Sequence, residues 1–169
     1  MADLNMTLDR VDAQNQVIGS IIRRDVFRTQ ANFRVVHVFV FNSRKELLLQ
    51  KIATGLRHEG QWGSSAAGYL EKGEDFTAAA ARKARSELGL PQLVFQHVGT
   101  TSMDDRGCRK FIGLFATVYD GPLTLNPADV CGLEFLSLAD IEDARKTGSR
   151  TFTETFLHLL DYYTSSGIP

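Results

Sequence analysis

The sequence is short of cysteine and of proline, and it has no excess of either charge. Its two cysteines lack C-x-x-C spacing, which argues against a disulfide framework and predicts free, reduced thiols. Nineteen basic residues stand against 20 acidic ones, giving a net charge of −1, so nothing indicates nucleic-acid binding or an anionic membrane surface. No apolar run reaches the length of a membrane span. These absences favour a cytoplasmic protein whose partner is a small molecule.

The composition is that of a globular protein. With 169 residues, 43% of them hydrophobic and 23% charged, the chain suits one domain over residues 1–169 with an adequate core. There is no internal repeat and no disordered tract. The functional signal therefore has to come from local motifs.

The most informative stretch is residues 68–90, which predicts a loop, a helix and a second loop. Gly73 allows a flexible entry, and Asp75 can accept a hydrogen bond from a free amide of the first helical turn. Residues 77–88 are mostly good helix formers, and Gly89 follows them as a stop signal. We expect a helix of about three turns.

The same stretch resembles the Nudix box, whose pattern is G-x5-E-x7-R-E-U-x-E-E-x-G-U with U a bulky apolar residue. Six positions match it without a gap: Gly68, Glu74, Arg82, Glu87, Gly89 and Leu90. Two positions depart from it, because Lys83 and Ser86 replace two of the glutamates. The chain is therefore identified as a member of the Nudix superfamily with a degenerate box.

The departures fall on the metal-binding face of the helix. Positions 83, 86 and 87 lie on one helical face, where three carboxylates would converge on Mg2+ or Mn2+. The resemblance implies that such cations bridge the phosphates of a diphosphate substrate and activate the attacking water. Only Glu87 remains, as principal ligand and catalytic residue, and Lys83 could simply pair with it four residues away.

The other residues of the box are expected to have structural or metal-binding roles. The resemblance implies that Glu74 and Arg82 tie the loop to the helix, with Gly89 completing the structural part of the box. It also implies that the carbonyl of Gly68 can bind the metal. The alternative for Glu74 and Arg82 is a pair of solvated charges.

Acids that do not occupy one of the fixed positions of the box could complete the metal site. Glu71, Asp104 and Asp105 are the candidates, the last two in a segment expected to link two strands. The alternative for this segment is a polar turn that needs Asp and Gly for backbone reasons.

Two basic residues are candidates for binding the substrate phosphates. Lys51 ends a predicted strand where the family usually carries a basic residue, and Arg57 lies in a glycine-bearing loop. Either could equally be a solvated surface charge. His37, in the middle of a strand, is expected to be a core or pocket-wall residue rather than a metal ligand.

The remaining pattern predicts an α/β fold. Residues 34–41 are almost continuously apolar and β-branched, as in a central strand buried on both faces. Further strands are expected at 46–51, 93–101, 109–119 and 131–136, an N-terminal hairpin at 8–22, and helices at 137–146 and 151–163. We predict an α/β/α sandwich with a central mixed sheet, the Nudix fold. The hairpin and an exposed strand edge make a homodimer compatible with the pattern.

The altered box is similar to that of isopentenyl diphosphate isomerases, which also keep the acid at position 87. Their nucleophilic cysteine and metal-binding histidine would fall at Ala67 and Tyr69, a further histidine at Phe33, and two acids near Cys108 and Lys110. Since no residue is available to protonate an alkene, we reject isomerase activity and keep this subgroup as the nearest relative.

Two functions remain. The first is a divalent-metal-dependent hydrolase that cleaves the diphosphate linkage of a nucleoside diphosphate joined to another group. The second is a catalytically silent Nudix-fold protein that binds a phosphorylated ligand or a protein, with Lys83 replacing the charge of the metal. A cation shared by Glu87 with Asp104 or Asp105 favours the first, and a Lys83–Glu87 hydrogen bond favours the second.

Overall fold

A computed structural model describes residues 3–168 of the chain as nine strands and three α-helices. In chain order they are β1 (Thr7–Val11), β2 (Val17–Ile22), β3 (Phe33–Phe41), β4 (Leu47–Ile52), β5 (Trp62–Gly63), β6 (Ala66–Tyr69), α1 (Phe76–Leu88), β7 (Gln96–Asp105), β8 (Cys108–Val118), β9 (Val130–Leu136), α2 (Leu138–Thr147) and α3 (Glu154–Ser165).

Strand β3 is the centre of the seven-stranded sheet. It pairs in parallel with β8 along its whole length, from Phe33 opposite Lys110 to Phe41 opposite Val118. On its other edge it pairs antiparallel with β6 and, at one end, with β4. The predicted mixed sheet is thus confirmed, and a strand with neighbours on both edges and cores on both faces needs the apolar run seen in β3.

The two faces of the sheet are covered by different helices. Val36 and Val38 of β3 pack with the alanines of α1, whereas Phe39 packs against Phe156 of α3. Alternation along β3 sends successive side chains to opposite faces, so each core takes every second residue. This arrangement confirms the α/β/α sandwich. We refer below to the α1 face and the α3 face.

The hairpin between β7 and β8 differs from its predicted position. β7 runs to Asp105, and the turn consists of Arg106 and Gly107, both with positive φ (54° and 81°). Two residues in the left-handed region form a tight hairpin turn whose twist matches that of the strands. Asp104 and Asp105 therefore lie in β7, and the expectation of a strand ending at residue 101 was wrong.

The N-terminal hairpin is present as a separate two-stranded sheet of β1 and β2. Both cysteines are free thiols, Cys108 buried and Cys131 exposed. Within residues 3–168, no helix combines the length and hydropathy that crossing a bilayer requires.

Candidate active site

Helix α1 brings Glu87 to the sheet. The Asp75 side chain accepts a hydrogen bond from the amide of Ala78 (2.7 Å) at the start of the helix, and Gly89 ends it with φ of 66°. Between them, Ala80 and Ala84 are fully buried against the sheet. Small side chains let the helix approach closely, so a carboxylate near its C-terminal end reaches the sheet backbone.

Glu87 is buried, with 4% of its surface exposed. Its Oε1 lies 2.6 Å from Nζ of Lys83, and its Oε2 accepts from the amide of Ala67 (3.2 Å) and from Nε2 of Gln50 (3.3 Å). Burial raises the pKa of Glu87, and the charge and hydrogen bond of Lys83 counteract part of that shift. The carboxylate is therefore held by three donors in a site with little water.

Lys83 reaches Glu87 across Gly68. A Cβ at position 68 would lie 2.5 Å from Cε of Lys83 and 2.7 Å from its Cδ. The missing side chain of Gly68 thus makes room for the lysine stem. Ser86, the other departure from the box, is exposed and donates to the carbonyl of Lys83 (3.3 Å).

Two polar residues near Glu87 were not singled out from the sequence. Gln50 of β4 is 8% exposed, and its Oε1 is buried without a hydrogen-bond partner within residues 3–168. Asp129 is close enough that its charge also raises the pKa of Glu87, and its loop is attached to α1 by the amide of Asn126, which donates to the carbonyl of Glu87 (3.0 Å). A glutamine directly after three leucines in β4 was a signal for Gln50. The position of Asp129 depends on the path of its loop, which the sequence does not reveal.

The other predicted metal ligands are engaged elsewhere. Glu71 is half-exposed with Oε1 3.7 Å from Nε of Arg82, and Asp104 accepts from the amide of Gly107 (3.2 Å). In the part of the chain that the structure describes, no three His, Cys, Asp or Glu side chains are grouped so that they could hold a metal ion. The structure therefore does not gather the predicted ligands around Glu87.

Glu74 and Arg82 are in direct contact. Nε and one terminal nitrogen of Arg82 each lie 2.7 Å from a Glu74 oxygen, and the same terminal nitrogen donates to the carbonyl of Tyr69 (2.9 Å). Glu74 also accepts from the amide of Glu71 (2.9 Å). These bonds join the loop, α1 and β6, and a bidentate guanidinium–carboxylate pair gives the junction a fixed geometry.

Asp105 and the two predicted phosphate-binding residues belong to the other face of the sheet. Arg57 donates to both Asp105 oxygens (2.8 and 3.1 Å), and Nζ of Lys110 lies 3.1 Å from Oδ2 and 2.7 Å from Oγ1 of Thr155 in α3. Lys51 follows Gln50 in β4, so alternation directs it away from the α1 face.

The positions that the isomerase resemblance marks also lie on the α3 face. Tyr69 stacks on Phe33 with ring centroids 5.1 Å apart, and both belong to the α3-side core with Cys108. Ala67 is paired with His37, whose Nδ1 lies 2.8 Å from Oγ of Ser64.

Comparisons with known proteins show which family this fold and this box helix belong to. A model of the NUDIX domain matches residues 31–156. An uncharacterised Nudix hydrolase of Pseudomonas aeruginosa is 30% identical over 138 residues, covering 80% of this chain and 81% of that protein. An isopentenyl-diphosphate Delta-isomerase of Streptomyces coelicolor is 28% identical over 162 residues, covering 91% and 81%.

A crystal structure of a Deinococcus radiodurans protein has the same fold, with a TM-score of 0.80 and 24% identity over 92% of this chain and 97% of that one. The domain model matches well over half of the chain, and its span includes the box helix, Glu87 and the sheet around them. The chain therefore belongs to the Nudix hydrolase family.

Proposed function

We propose that the protein is a hydrolase that cleaves the diphosphate linkage of a nucleoside diphosphate joined to another group, with Mg2+ or Mn2+ as cofactor. The observation that carries this proposal is the buried carboxylate of Glu87 with the Oε1 of Gln50 beside it, which has no hydrogen-bond partner among residues 3–168. A buried oxygen without a donor is costly, and a hard divalent cation is one partner that would satisfy it.

The residues around Glu87 fit such a cation as follows. Glu87 would supply the negative charge and Gln50 a neutral oxygen, and Asp129 and the Gly68 carbonyl are proposed as further sources of oxygen. A bound cation would neutralise phosphate charge and acidify a water molecule. In the hydrolysis, the water oxygen bonds to one phosphorus, the bridging oxygen leaves with the other, and each phosphomonoester product keeps one proton of the water.

Lys83 acts as the counter-charge of Glu87 in the absence of a cation. Its flexible four-carbon stem lets the ammonium leave Glu87 and follow the substrate phosphates. Lys51 and Arg57 lie on the α3 face and are proposed as contacts for a part of the substrate that extends beyond the α1 face, with Arg57 positioned by Asp105. The substrate is a small phosphorylated molecule.

Isomerase activity is not part of the proposal. Protonation of an alkene needs a positioned acid, and the α3 face offers Ala67, Tyr69 and Phe33 at three positions where the isomerase resemblance requires a thiol or an imidazole. The two free cysteines support a reducing, cytoplasmic location.

The test is product release from a panel of ADP-ribose, UDP-sugars and dinucleoside polyphosphates with Mg2+, with Mn2+, and with a chelator. We expect metal-dependent formation of two phosphomonoesters from at least one compound. Absence of turnover with every metal and substrate pair would contradict the proposal.

The second candidate is a silent Nudix-fold protein that binds a phosphorylated ligand. It is favoured by the 2.6 Å contact of Lys83 with Glu87, because an ammonium already fills the place of the cation. Calorimetric titration of ADP-ribose in chelator separates the two: binding without metal that Lys83→Met abolishes, together with no turnover, supports the second candidate. Binding that requires Mg2+ supports the first.

A further inference from the structure

A cluster of charged side chains on the α3 face extends beyond Arg57, the one member that the proposed hydrolysis uses as a substrate contact. We call Asp105, Lys110, Arg57 and Thr155 the Lys110 cluster. Lys110 is 8% exposed and Asp105 is also 8% exposed, so both charges are almost entirely removed from bulk water. Burying a charged pair is costly unless its hydrogen-bonding capacity is used.

The donors of the cluster are only partly used. An ammonium has three N–H donors, and the two acceptors of Lys110 within residues 3–168 are Oδ2 of Asp105 and Oγ1 of Thr155. A guanidinium has five, of which Arg57 gives two to Asp105 while 45% of its side chain stays exposed. Both cations thus have further donors beside the shared carboxylate.

The charges around the cluster are unbalanced. Arg106 lies with Nε 3.8 Å from Asp105 and its guanidinium 3.6 Å from the ring centre of Phe27, and Arg23 lies 4.1 Å above the ring of Tyr69. Three cations, Arg57, Lys110 and Arg106, therefore contact Asp105, and a further carboxylate that acts on Lys110 and Arg57 is Glu154. This local excess contrasts with a net charge of −1 for the whole chain.

Neither His37 nor the dipole of α3 supplies negative charge to the cluster. His37 is neutral, because burial and the charge of Lys110 lower its pKa to about 3. The N-terminus of α3, which carries Thr155, adds the positive end of the helix dipole to the same region. A small anion would accept from the uncommitted donors and offset the excess charge.

We propose that the Lys110 cluster is an anion-binding subsite, separate from Glu87, that takes a phosphate or carboxylate group. Resting on the proposed function, this assigns the substrate to nucleoside diphosphate derivatives whose second group is itself anionic. Asp105 is then a positioning residue that holds Lys110 and Arg57 at the anion.

Strand β6 is the link between the two sites. The amide of Ala67 donates to Glu87 on the α1 face, while Tyr69 packs in the α3-side core. Within the described residues β6 pairs with no strand other than β3, and Glu87 and Arg82 of α1 contact its other edge. The proposal therefore places the diphosphate at Glu87, on one side of β6, and the second group at the Lys110 cluster, on the other.

The first test is titration of the full-length protein with inorganic phosphate at constant ionic strength, without metal, by calorimetry. We expect saturable binding that weakens about 10- to 100-fold in Lys110→Met. Arg57→Gln, at a half-exposed position that tolerates substitution better, should weaken it by a similar factor. Lys146→Met, which removes an exposed lysine of α2, is the matched control and should bind as the native protein does.

The outcomes separate this inference from the hydrolase proposal, since phosphate titration needs no turnover. Loss of phosphate binding in Lys83→Met but not in Lys110→Met, or no saturable binding at all, would overturn the subsite. The second test compares UDP-glucuronate with UDP-glucose, which differ by one carboxylate. A preference in kcat/KM for the glucuronate that Lys110→Met removes supports the substrate class, and equal values in the native protein overturn it.

Discussion

At the scale of single residues, two buried acids of this protein have pKa values shifted in opposite directions. Burial dominates at Glu87 and raises its pKa despite Lys83. Burial also raises the pKa of Asp105, but the hydrogen bond from Arg57 and the charge of Lys110 more than reverse that effect and lower it. Asp105 has two hydrogen-bonded cationic partners, Arg57 and Lys110, whereas Glu87 has only Lys83 within the described residues.

Asp105→Asn should destabilise the protein in a pH-dependent way. Because the folded-state pKa of Asp105 is below the ordinary value of 3.8, its contribution is present above pH 3.8 and is lost as the pH falls through the folded-state pKa. At neutral pH we expect a loss of about 3 kcal/mol, as for a broken buried ion pair.

Urea unfolding of the native protein and of Asp105→Asn over a pH series measures this difference. Asp104→Asn, at the neighbouring and more exposed position, is the control and should change stability little. A difference for Asp105→Asn that grew as the pH fell would be inconsistent with the ion-pair network.

His37 should remain neutral throughout the physiological range. Burial, and then the charge of Lys110, lower its pKa from 6.5 to about 3. Its ring resonances in an NMR titration should not shift between about pH 5 and pH 8. A midpoint near the ordinary value would mean that the ring is solvated and that Lys110 lies elsewhere.

Part of the site could be predicted from the sequence. The pair of Lys83 and Glu87 follows from helix geometry, because the two residues are four apart. The pair of Glu74 and Arg82 follows from the resemblance to the Nudix box. Gln50 and Asp129 come to Glu87 only through the packing of β4 and the 126–129 loop on α1. Asp105 was predicted as a metal ligand from its residue type. Its two hydrogen-bonded cationic partners are Arg57, from a loop, and Lys110, from β8.

At the scale of elements, helix α1 sets the position of the site. Its start and end were predictable because Asp75 and Gly89 are strong local signals, and the structure has the helix at Phe76–Leu88. The end of β7 was not predictable from the sequence, because Asp104 and Asp105 are residues typical of turns. The turn is made instead by Arg106 and Gly107, whose backbone conformations the composition did not reveal.

Asp75→Ala should weaken α1 at its first turn. The substitution removes the acceptor of the Ala78 amide, and we expect a loss of about 1 kcal/mol in the free energy of unfolding. Asp75→Asn keeps a capping oxygen and should change it by only a few tenths of a kcal/mol. Equal losses for both variants in urea unfolding would mean that charge, not the hydrogen bond, is what matters.

At the scale of the whole molecule, the sandwich separates two chemical environments. The α1 face carries Glu87 with Lys83 and the Gln50 oxygen that has no hydrogen-bond partner within residues 3–168, and the α3 face carries the Lys110 cluster. The layers were predictable because alternating burial and a central apolar strand require cover on both faces. Which charged groups lie on each face was not predictable, because it depends on which face each loop and strand end reaches.

We propose a homodimer that forms through the edge of the N-terminal hairpin. Val17 and Ile18 of β2 are 52% and 56% exposed, and within residues 3–168 β2 pairs with β1 alone. An exposed apolar edge strand is a template for pairing with a second copy. Sedimentation over a concentration series should show a dimer that Ile18→Lys dissociates, and a native protein that stays monomeric would contradict the proposal.

The most direct test of the central claim is the effect of Glu87→Gln on metal-dependent hydrolysis of whichever diphosphate compound the native protein cleaves. The amide keeps the size of the side chain and removes the charge that would hold the cation. Glu142→Gln, on the surface of α2, is the matched control. We expect kcat/KM to fall at least about 100-fold in Glu87→Gln and to be unchanged in Glu142→Gln. Turnover that survives Glu87→Gln with the same metal dependence would contradict the account.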